Sequence, residues 1–441
     1  MPAAPMAENI SPGLIRVMER AKRDQEVSFN SLAHLIDEAA LERAYGRLRK
    51  DAAVGRDGIT VEQYGQRLGE HLQDLHERLR TMRWRHQPIL RVHIPKDQGK
   101  TRPIGISSTE DKIVQEALRE VLEAIYEPIF RDSSYGFRPG QSAHDAIRAL
   151  DHALYQGEVN WIVEGDIESF FDSMVRKMLM EMLQLRVCDG SLLRLIGKCL
   201  HVGVLDGEEY SEPSEGTAQG SVLLPLLGNV YLHYVLDEWF ERDVRPRLQG
   251  KATLVRYADD FVIGFEKEED AKRVMAVLAK RFERYGLRLH PDKTRLLPFG
   301  RPPRGSSSGK GPATFDFLGF TFYWRRARGG HWIPGLKTRV GRFRRFTRAV
   351  ADWCRRHRHQ PVKEQHAGLT RRINGHFNYY GVNGNGPTLR RVIRKASRAW
   401  HKWLNRRSQR SRLNWTRFND LLRSFPLPTV RIRVQIWAPS P

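Results

Sequence analysis

The sequence predicts an α+β protein, and three observations lead to this class. Apolar runs of strand length, rich in β-branched and aromatic residues, recur at residues 91–106, 161–167 and 254–265. Amphipathic segments with helical spacing of their apolar residues lie between these runs. From Thr338 onward the pattern is helical and rich in arginine. We therefore expect a body of sheets and helices followed by a helical, basic region.

The size and charge of the chain narrow its class further. Its 441 residues can bury a substantial core and predict two or three domains. The net charge is +23, and residues 301–441 hold 32 Lys or Arg against 4 Asp or Glu, whereas residues 1–300 hold 42 against 47. Such a density of positive charge in the last third predicts a polyanionic partner, with nucleic acid the first choice.

The first elements in chain order are helical and are followed by a hairpin. Residues 1–27 are weakly patterned, a loose tail or a short helix, and the stretch to about residue 88 predicts helices. Two short strands then flank a basic tip, where Lys96 and Arg102 could close over a triphosphate. An exposed hairpin with ordinary solubilising charges is the alternative.

Carboxylates stand at the ends of two apolar strands in the middle of the chain. Asp259 and Asp260 lie where the hydrophobic run 254–265 should turn, and Asp166 follows the strand that begins at Trp161. Like charges at one turn repel unless a cation neutralises them, so this pattern predicts a metal site. The alternatives are a solvated turn for the pair and a helix N-cap for Asp166.

The remaining elements complete the α+β pattern. A glycine-bearing loop containing Gln219 precedes a buried core helix at 221–236, which is too short and too polar to span a bilayer. Residues 300–312 predict a long loop, and 315–324 predict an aromatic strand pair. In the helices that follow, we expect the arginines to contact phosphates and the interleaved aromatic side chains to pack.

The cysteine pattern and the start of the chain indicate a compartment. Cys188, Cys199 and Cys354 are scattered and lack metal-ligand spacing, which argues against disulfides and structural zinc. No signal peptide is evident. We expect a reducing cytosol, and no membrane partner.

The order of these segments closely resembles that of group II intron reverse transcriptases. The resemblance covers roughly residues 40–430. It rests on six segments from the hairpin to the aromatic strand pair, and on a seventh in the later helices: Lys96…Arg102-Pro103-Ile104-Gly105-Ile106, Ser134-Tyr135-Gly136-Phe137-Arg138-Pro139-Gly140, Asp166…Phe170-Phe171-Asp172, Gln219-Gly220, Tyr257-Ala258-Asp259-Asp260, Phe317-Leu318-Gly319-Phe320 and Ile373-Asn374-Gly375-His376-Phe377-Asn378-Tyr379-Tyr380-Gly381.

This resemblance implies a right-hand polymerase, with fingers and palm built on antiparallel sheet flanked by helices and an all-helical basic thumb, also called domain X. The implied divisions are an N-terminal tail, a helical extension of the fingers, the fingers and palm, the thumb or maturase domain, and a basic nucleic-acid-binding region: 1–27, 28–88, 89–330, 331–395 and 396–441. The implied activity is RNA-directed DNA polymerisation with a maturase role in intron splicing and mobility. The implied partners are an RNA template such as group II intron RNA, a DNA primer or target, and dNTPs.

The resemblance also implies roles for particular residues. Asp166, Asp259 and Asp260 would hold two Mg²⁺ ions, with the carbonyl of Ile167 as a further ligand. Phe171 would exclude a 2′-hydroxyl, although core packing is the alternative for it and its neighbour. Three residues would contact the nucleotide: Lys96, Arg102 and Gln219. Five arginines would contact nucleic acid: Arg342, Arg344, Arg345, Arg371 and Arg372.

Some positions depart from the family pattern and keep other hypotheses open. Ser221 stands where the family usually has glycine, which affects nucleotide handling, and Ser107 replaces a proline. No Cys-rich HNH endonuclease segment is visible, so second-strand cleavage is not expected. The alternatives to the leading hypothesis are a maturase that acts only as an RNA-binding splicing factor, and a host-adopted reverse transcriptase in DNA repair or CRISPR-type immunity.

Overall fold

The computed structural model describes residues 10–95, 101–206, 209–211, 220–303, 313–327, 329–408 and 413–437. It contains both helices and sheets, which confirms the α+β prediction. None of the helices within these ranges is long and apolar enough to cross a membrane.

The N-terminal region is helical and packs on the body. Its helices are α1 (Pro12–Arg23), α2 (Glu38–Arg47), α3 (Val61–Gly65) and α4 (Leu68–Arg80). Of the two structures predicted for residues 1–27, the described part forms the short helix, α1. The Ser11 hydroxyl accepts a hydrogen bond from the amide of Leu14, and Pro12 suits the first helical position. Leu14 and Ala21 are buried, which ties this helix to the main core.

The predicted hairpin forms part of a small sheet. β1 (Ile89–Pro95) and β2 (Thr101–Ile106) are antiparallel, and the sheet order is completed by β4 (Val204–Asp206) and β5 (Glu209–Ser211) as β2-β1-β4-β5. β2 is followed by α5 (Thr109–Tyr126), which packs against α1 and α2 and is buried along almost its whole length.

A second sheet forms the floor of the molecule's main cleft. Its strands are β3 (Trp161–Gly165), β6 (Ala252–Tyr257), β7 (Asp260–Phe265) and β8 (Arg295–Pro298), all antiparallel in the order β6-β7-β3-β8. Two helices pack directly on this sheet, α6 (Ala143–Gln156) and α11 (Glu268–Arg284). Four further helices lie between β3 and β6 in the chain: α7 (Phe170–Ser173), α8 (Arg176–Gln184), α9 (Gly190–Leu200) and α10 (Leu224–Leu232). Every residue of α10 except Pro225 is buried, as predicted for a core helix, and π-helical turns prolong it to Val244.

The third sheet joins this body to the C-terminal helices. β9 (Phe315–Phe317), β10 (Phe320–Arg326) and β11 (Trp332–Thr338) are followed by α12 (Val340–Arg356), α13 (Val362–Tyr380), α14 (Gly386–Leu404) and α15 (Trp415–Ser424). These four helices share their own apolar core.

One predicted domain boundary separates two paired strands, and another lies inside a helix. The boundary at 330/331 lies in the turn between β10 and β11, whose seven cross-strand pairs hold the hairpin together, so the all-helical region begins only at Val340. The boundary at 395/396 lies inside α14, because the apolar face of that helix continues from Leu389 to Leu404. The β10–β11 hairpin and the helix α14 thus continue across the two predicted boundaries.

Candidate active site

The sheet register brings the three predicted acids to one end of the second sheet. β3 runs antiparallel to β7 with Gly165 opposite Phe261, so Asp166 leaves its strand beside the start of β7. Tyr257 pairs with Asp260 across the hairpin, which leaves Ala258 and Asp259 as its two-residue turn. The predicted turn is therefore confirmed, and all three acids line one cleft of about 1130 Å³.

The electrostatics of this cluster disfavour three free negative charges. Asp260 opens onto the cleft, yet protein surrounds its carboxyl group on most sides. This burial, together with the charges of Asp259 and Asp166, raises the pKa of Asp260 to about 7. Lys293 opposes the shift, and its Nζ lies 2.7 Å from Oδ2 of Asp166. The cluster thus attracts cations, and one ammonium group already contacts it.

The donor chemistry of the cluster suits a hard divalent cation. Carboxylate oxygens are the ligands that Mg²⁺ prefers, and a bound cation would offset both the burial and the neighbouring negative charges that raise the pKa of Asp260. Within the described ranges, however, no set of three or more His, Cys, Asp or Glu side chains is already arranged as a metal-binding group. Asp166 is instead paired with Lys293, which would have to yield to a metal ion.

The two adjacent phenylalanines occupy different environments. Phe170 is only 3% exposed and belongs to the core, whereas Phe171 is partly exposed and lines the cleft with its ring centroid 5.0 Å from that of Phe170. Gly228 of α10 lies directly beneath both rings, and a Cβ there would come within 3.0 Å of each. The cleft wall beside the acids is therefore aromatic and closely packed.

The predicted nucleotide contacts are located less fully. Lys96 and Gln219 lie outside the described residues. The backbone of Arg102 is part of β2, opposite Ile94, but its side chain is outside the described part of the chain. Thr101 and Pro103 on either side of it line the cleft, so this strand borders the site.

The opposite wall of the cleft comes from the third sheet and the C-terminal helices. The loop at Leu318 and Gly319 lies there, with the Tyr379 hydroxyl donating to the Leu318 carbonyl at 2.7 Å. Arg339 Nε lies 2.9 Å from Oδ2 of Asp316, and Arg342 also lines this wall. The other predicted basic contacts lie on the outer surface, where Arg344, Arg345, Arg371 and Arg372 are exposed.

Sequence reasoning missed several residues that line the cleft. Lys293, Arg339 and Tyr379 were not singled out for the site, although Tyr379 stands in one of the segments that carry the resemblance. Lys293 lies in a polar stretch, His290-Pro291-Asp292-Lys293-Thr294, where it resembles many surface lysines. Only the pairing of its segment with the end of β3, through the backbone bond from His290 to Asp166, brings it to the acids.

Comparisons with known proteins show what the chain is similar to. The family model for reverse transcriptase (RNA-dependent DNA polymerase) matches residues 94–322. Protein YkfC of Escherichia coli K12 is 35% identical over 275 residues, which cover 55% of this chain and 71% of that protein.

Two further relatives are named for introns. Group II intron-encoded protein LtrA of Lactococcus lactis subsp. cremoris is 37% identical over 250 residues, covering 54% of this chain and 41% of LtrA. Nuclear intron maturase 1, mitochondrial, of Arabidopsis thaliana is 33% identical over 133 residues, covering 27% of this chain and 18% of that protein. The matched region thus spans less than half the length of either intron protein.

Proposed function

Because the chain belongs to the reverse transcriptase family of RNA-dependent DNA polymerases, we propose that it copies an RNA template into DNA in the cleft formed by Asp166, Asp259 and Asp260. The observation that carries this proposal is the meeting of these acids, from segments almost 100 residues apart, at one sheet end beside a partly exposed phenylalanine. A solvated turn alone does not account for the raised pKa of Asp260.

The chemical step would use the chain's own groups to orient the reactants. Asp166, Asp259 and Asp260, with the carbonyl of Ile167, would hold two Mg²⁺ ions. When bound, these ions lower the pKa of the primer 3′-hydroxyl and stabilise the leaving pyrophosphate. The acids fix the position of the 3′-end relative to the α-phosphate, so positioning supplies much of the rate. Lys293 gives up its contact with Asp166 in this state.

Other residues would select the nucleotide. Phe171 lies where a partly exposed ring can exclude a 2′-hydroxyl, which makes dNTPs the substrate. Lys96 and Arg102 would bind the triphosphate, since ammonium and guanidinium groups both bind phosphate well. Gln219 would contact the nucleotide or its template base.

The helical region from Val340 onward would be the thumb, or domain X. Exposed arginines of α12 and α13 can follow a phosphate backbone, while the aromatic side chains of Trp353 and Trp400 are buried in the helical core. The stretch 396–441 extends this basic surface. Its RNA partner would be an intron, because several relatives are named as intron proteins or maturases, and assistance in splicing would accompany polymerisation. The three unpaired cysteines suit a reducing compartment such as the bacterial cytoplasm.

Replacement of one turn carboxylate tests the proposal. Asp259→Ala is expected to abolish dNTP incorporation on an RNA template with a DNA primer in Mg²⁺, because the acids act as one unit. RNA binding, measured by fluorescence anisotropy, should stay within about twofold of the parent protein, since the basic helices are untouched. Asp352→Ala on α12 removes a carboxylate outside the cleft and should leave incorporation intact. Incorporation that persists in Asp259→Ala would refute the assignment.

The same pair of assays separates polymerase from splicing factor. A protein that acts only as a maturase would bind intron RNA and promote its splicing, with no incorporation by the parent protein. The polymerase proposal requires incorporation that Asp259→Ala removes.

A further inference from the structure

The turn that carries the predicted metal-binding acids has a strained backbone. Ala258, the residue before Asp259, has φ of 56°, in the left-handed region that residues other than glycine seldom adopt. A conformation of this kind persists only where its surroundings hold it in place. The neighbouring groups therefore have to supply specific contacts to this turn.

A buried arginine supplies one such contact from beneath the turn. Arg256 of β6 is fully buried, and its Nε and Nη2 donate to the two oxygens of Asp237 at 2.8 and 2.5 Å. Its remaining terminal nitrogen, Nη1, donates to the carbonyl of Ala258 at 3.1 Å and to Oδ1 of Asn229 at 3.0 Å. The guanidinium group of Arg256 thus joins the turn to the long buried helix, on which both Asn229 and Asp237 lie.

The loop at 133–137 completes the arrangement. Nδ2 of Asn229 donates to the Gly136 carbonyl at 2.6 Å, and the backbone of Arg256 exchanges hydrogen bonds with Ser133 and Tyr135. Gly136 lies so close to the turn that a Cβ on it would come within 2.3 Å of the Ala258 amide nitrogen. The turn is therefore held from below by Arg256 and from the side by Gly136.

The helix that anchors this network also supports the other wall of the site. Asn229 and Asp237 lie on α10 and its π-helical extension, and Gly228, next to Asn229, lies beneath Phe170 and Phe171. The same helix therefore positions both the turn that carries Asp259 and Asp260 and the ring of Phe171, which we propose excludes the 2′-hydroxyl.

We propose that Arg256, together with Asp237 and Asn229, is a positioning residue of the polymerase: it fixes the Ala258 turn so that Asp259 and Asp260 face Asp166. The proposal rests on the function proposed above. Arg256 reaches neither the cleft nor the substrate, and it acts through the carbonyl of the residue that precedes the first turn acid. A purely structural ion pair would need only the two bonds to Asp237.

The test separates positioning from stability by removing both charges together. In Arg256→Met/Asp237→Leu neither charge is left unpaired, and such replacements of buried pairs are often tolerated, so the double variant is expected to fold. It nevertheless lacks the donor to Ala258. We expect kcat for dNTP incorporation to fall about 10- to 100-fold, with the dNTP KM and the primer–template Kd within about twofold of the parent values.

A second variant keeps the proposal testable if the double variant is unfolded. Arg256→Lys retains the charge that faces Asp237, but a single ammonium group cannot reproduce the forked set of bonds. It should show the same loss of kcat in protein that unfolds cooperatively on heating. Either folded variant with the parent kcat would overturn the proposal.

The control is an equally designed double variant at another buried pair. Arg43→Met/Glu120→Leu removes a largely buried ion pair between α2 and α5 that lies outside the cleft. Glu120 also accepts a bond from Arg47 at 2.8 Å, and Arg47 then keeps Glu116 within 3.7 Å. Its kcat should match that of the parent protein. A comparable loss of kcat in this control would show that removal of any buried pair slows the enzyme, and would refute a specific role for Arg256.

Binding of Mn²⁺ gives a readout that does not depend on DNA synthesis. The electron paramagnetic resonance signal of free Mn²⁺ falls when the protein binds the ion. We expect Asp259→Ala and Arg256→Met/Asp237→Leu to bind Mn²⁺ more weakly than the parent protein, and the Arg43→Met/Glu120→Leu control to bind it equally well. A parent protein that binds Mn²⁺ in this way but makes no DNA would refute the proposed function and leave the role of Arg256 standing. Active variants with undiminished Mn²⁺ binding would refute the role of Arg256 alone.

Discussion

Phe170 and Phe171 are adjacent in the sequence, but the first ring lies in the core behind the cleft wall and the second lies on the side that faces the cleft. The first packs in the core near Tyr231, with ring centroids 6.4 Å apart, and the second is partly exposed to the cleft. Sequence reasoning assigned nucleotide selection to Phe171 and left core packing open for either ring. The structure separates the two environments, because the short helix α7 turns only one of them outward.

Phe171→Ala is therefore expected to relax sugar selection. Removing the ring opens space beside the proposed sugar site, so the ratio of rNTP to dNTP incorporation efficiency should rise at least about tenfold, in line with the discrimination that a steric pocket achieves. Single-nucleotide extension with each substrate measures the ratio. Phe170→Leu is the matched control: it should lower the thermal midpoint of unfolding through lost core packing, yet leave the ratio unchanged. An unchanged ratio in Phe171→Ala would exclude the assigned role.

Asp151 shows how a single buried carboxyl group affects stability. It lies in α6 at 5% exposure, and among the residues that the structure describes its Oδ1 has no hydrogen-bond partner. Burial raises its pKa to about 7, although Trp437 and Arg325 oppose the shift. Because the folded protein keeps this proton to higher pH than the unfolded chain, the group's contribution to the free energy of unfolding falls as the pH rises from about 4 to about 7.

Asp151→Asn should remove that loss. The amide stays neutral, so the variant is expected to be more stable than the parent protein at pH 8, on the order of 2 kcal/mol, with a smaller difference at pH 4. Urea unfolding at the two pH values measures the difference. Asp420→Asn, at an exposed pair with Arg423, should show little change at either pH. A variant less stable at pH 8 than the parent would contradict the expected direction of this pH dependence.

The roles of Lys293 and Arg256 could not be predicted from the sequence, because both depend on partners that only the fold brings close. The acids could be predicted because charge at the end of an apolar strand is unusual in itself. Lys293 carried no such signal, since its partner Asp166 is 127 residues away. Arg256 did carry one, as a charge within an apolar strand, but its buried partner Asp237 lies on a separate helix and only the fold brings them together.

Among the elements, strands and long helices followed closely from pattern. The hairpin at Asp259 and the core helix α10 were predicted from apolar spacing, and both are present. The alternating pattern Leu287-Arg288-Leu289 is typical of a short strand, yet the structure has only a single bridge there, between Leu289 and Ile167. Two predicted domain boundaries, 330/331 and 395/396, fall at points across which the hydrogen bonding between β10 and β11 and the packing of α14 continue.

The close approach of two loops gives an element-scale prediction. In Gly136→Ala the added Cβ would lie 2.3 Å from the Ala258 nitrogen and 3.0 Å from the Tyr257 carbonyl carbon, and a side-chain rotation cannot relieve contacts with backbone atoms. The carboxylate turn must shift, so we expect about 10- to 100-fold lower kcat for dNTP incorporation. Gly197→Ala is the control, because a Cβ there meets nothing within 4 Å in α9 and should slightly stabilise the protein. Full activity in Gly136→Ala would show that the turn tolerates displacement.

At the scale of the whole molecule, charge is divided between a near-neutral body and a basic helical region. Asp166, Asp259 and Asp260 lie in the part whose balance is negative, where repulsion would keep nucleic acid away. The C-terminal helices counter this repulsion across the cleft, since Arg342 faces the acids from α12 while Arg344 and Arg345 are exposed on the same helix. Affinity for nucleic acid and the site of chemistry are thus supplied by different parts of the chain.

The triple variant Arg342→Gln/Arg344→Gln/Arg345→Gln tests this division. If each arginine neutralises one phosphate of single-stranded RNA, the slope of log Kobs against log salt should become shallower by about 2, because about 0.7 counterions are released per phosphate contact. Binding at low salt should weaken, and Mn²⁺ binding at the acids should be retained. The control removes three exposed charges from α11 in the body, Lys272→Gln/Arg273→Gln/Lys280→Gln, and should leave the slope unchanged. Both triple variants remove three positive charges, so only a contact localised on α12 can make their slopes differ. Equal slopes would mean that net charge, rather than the α12 surface, governs RNA binding.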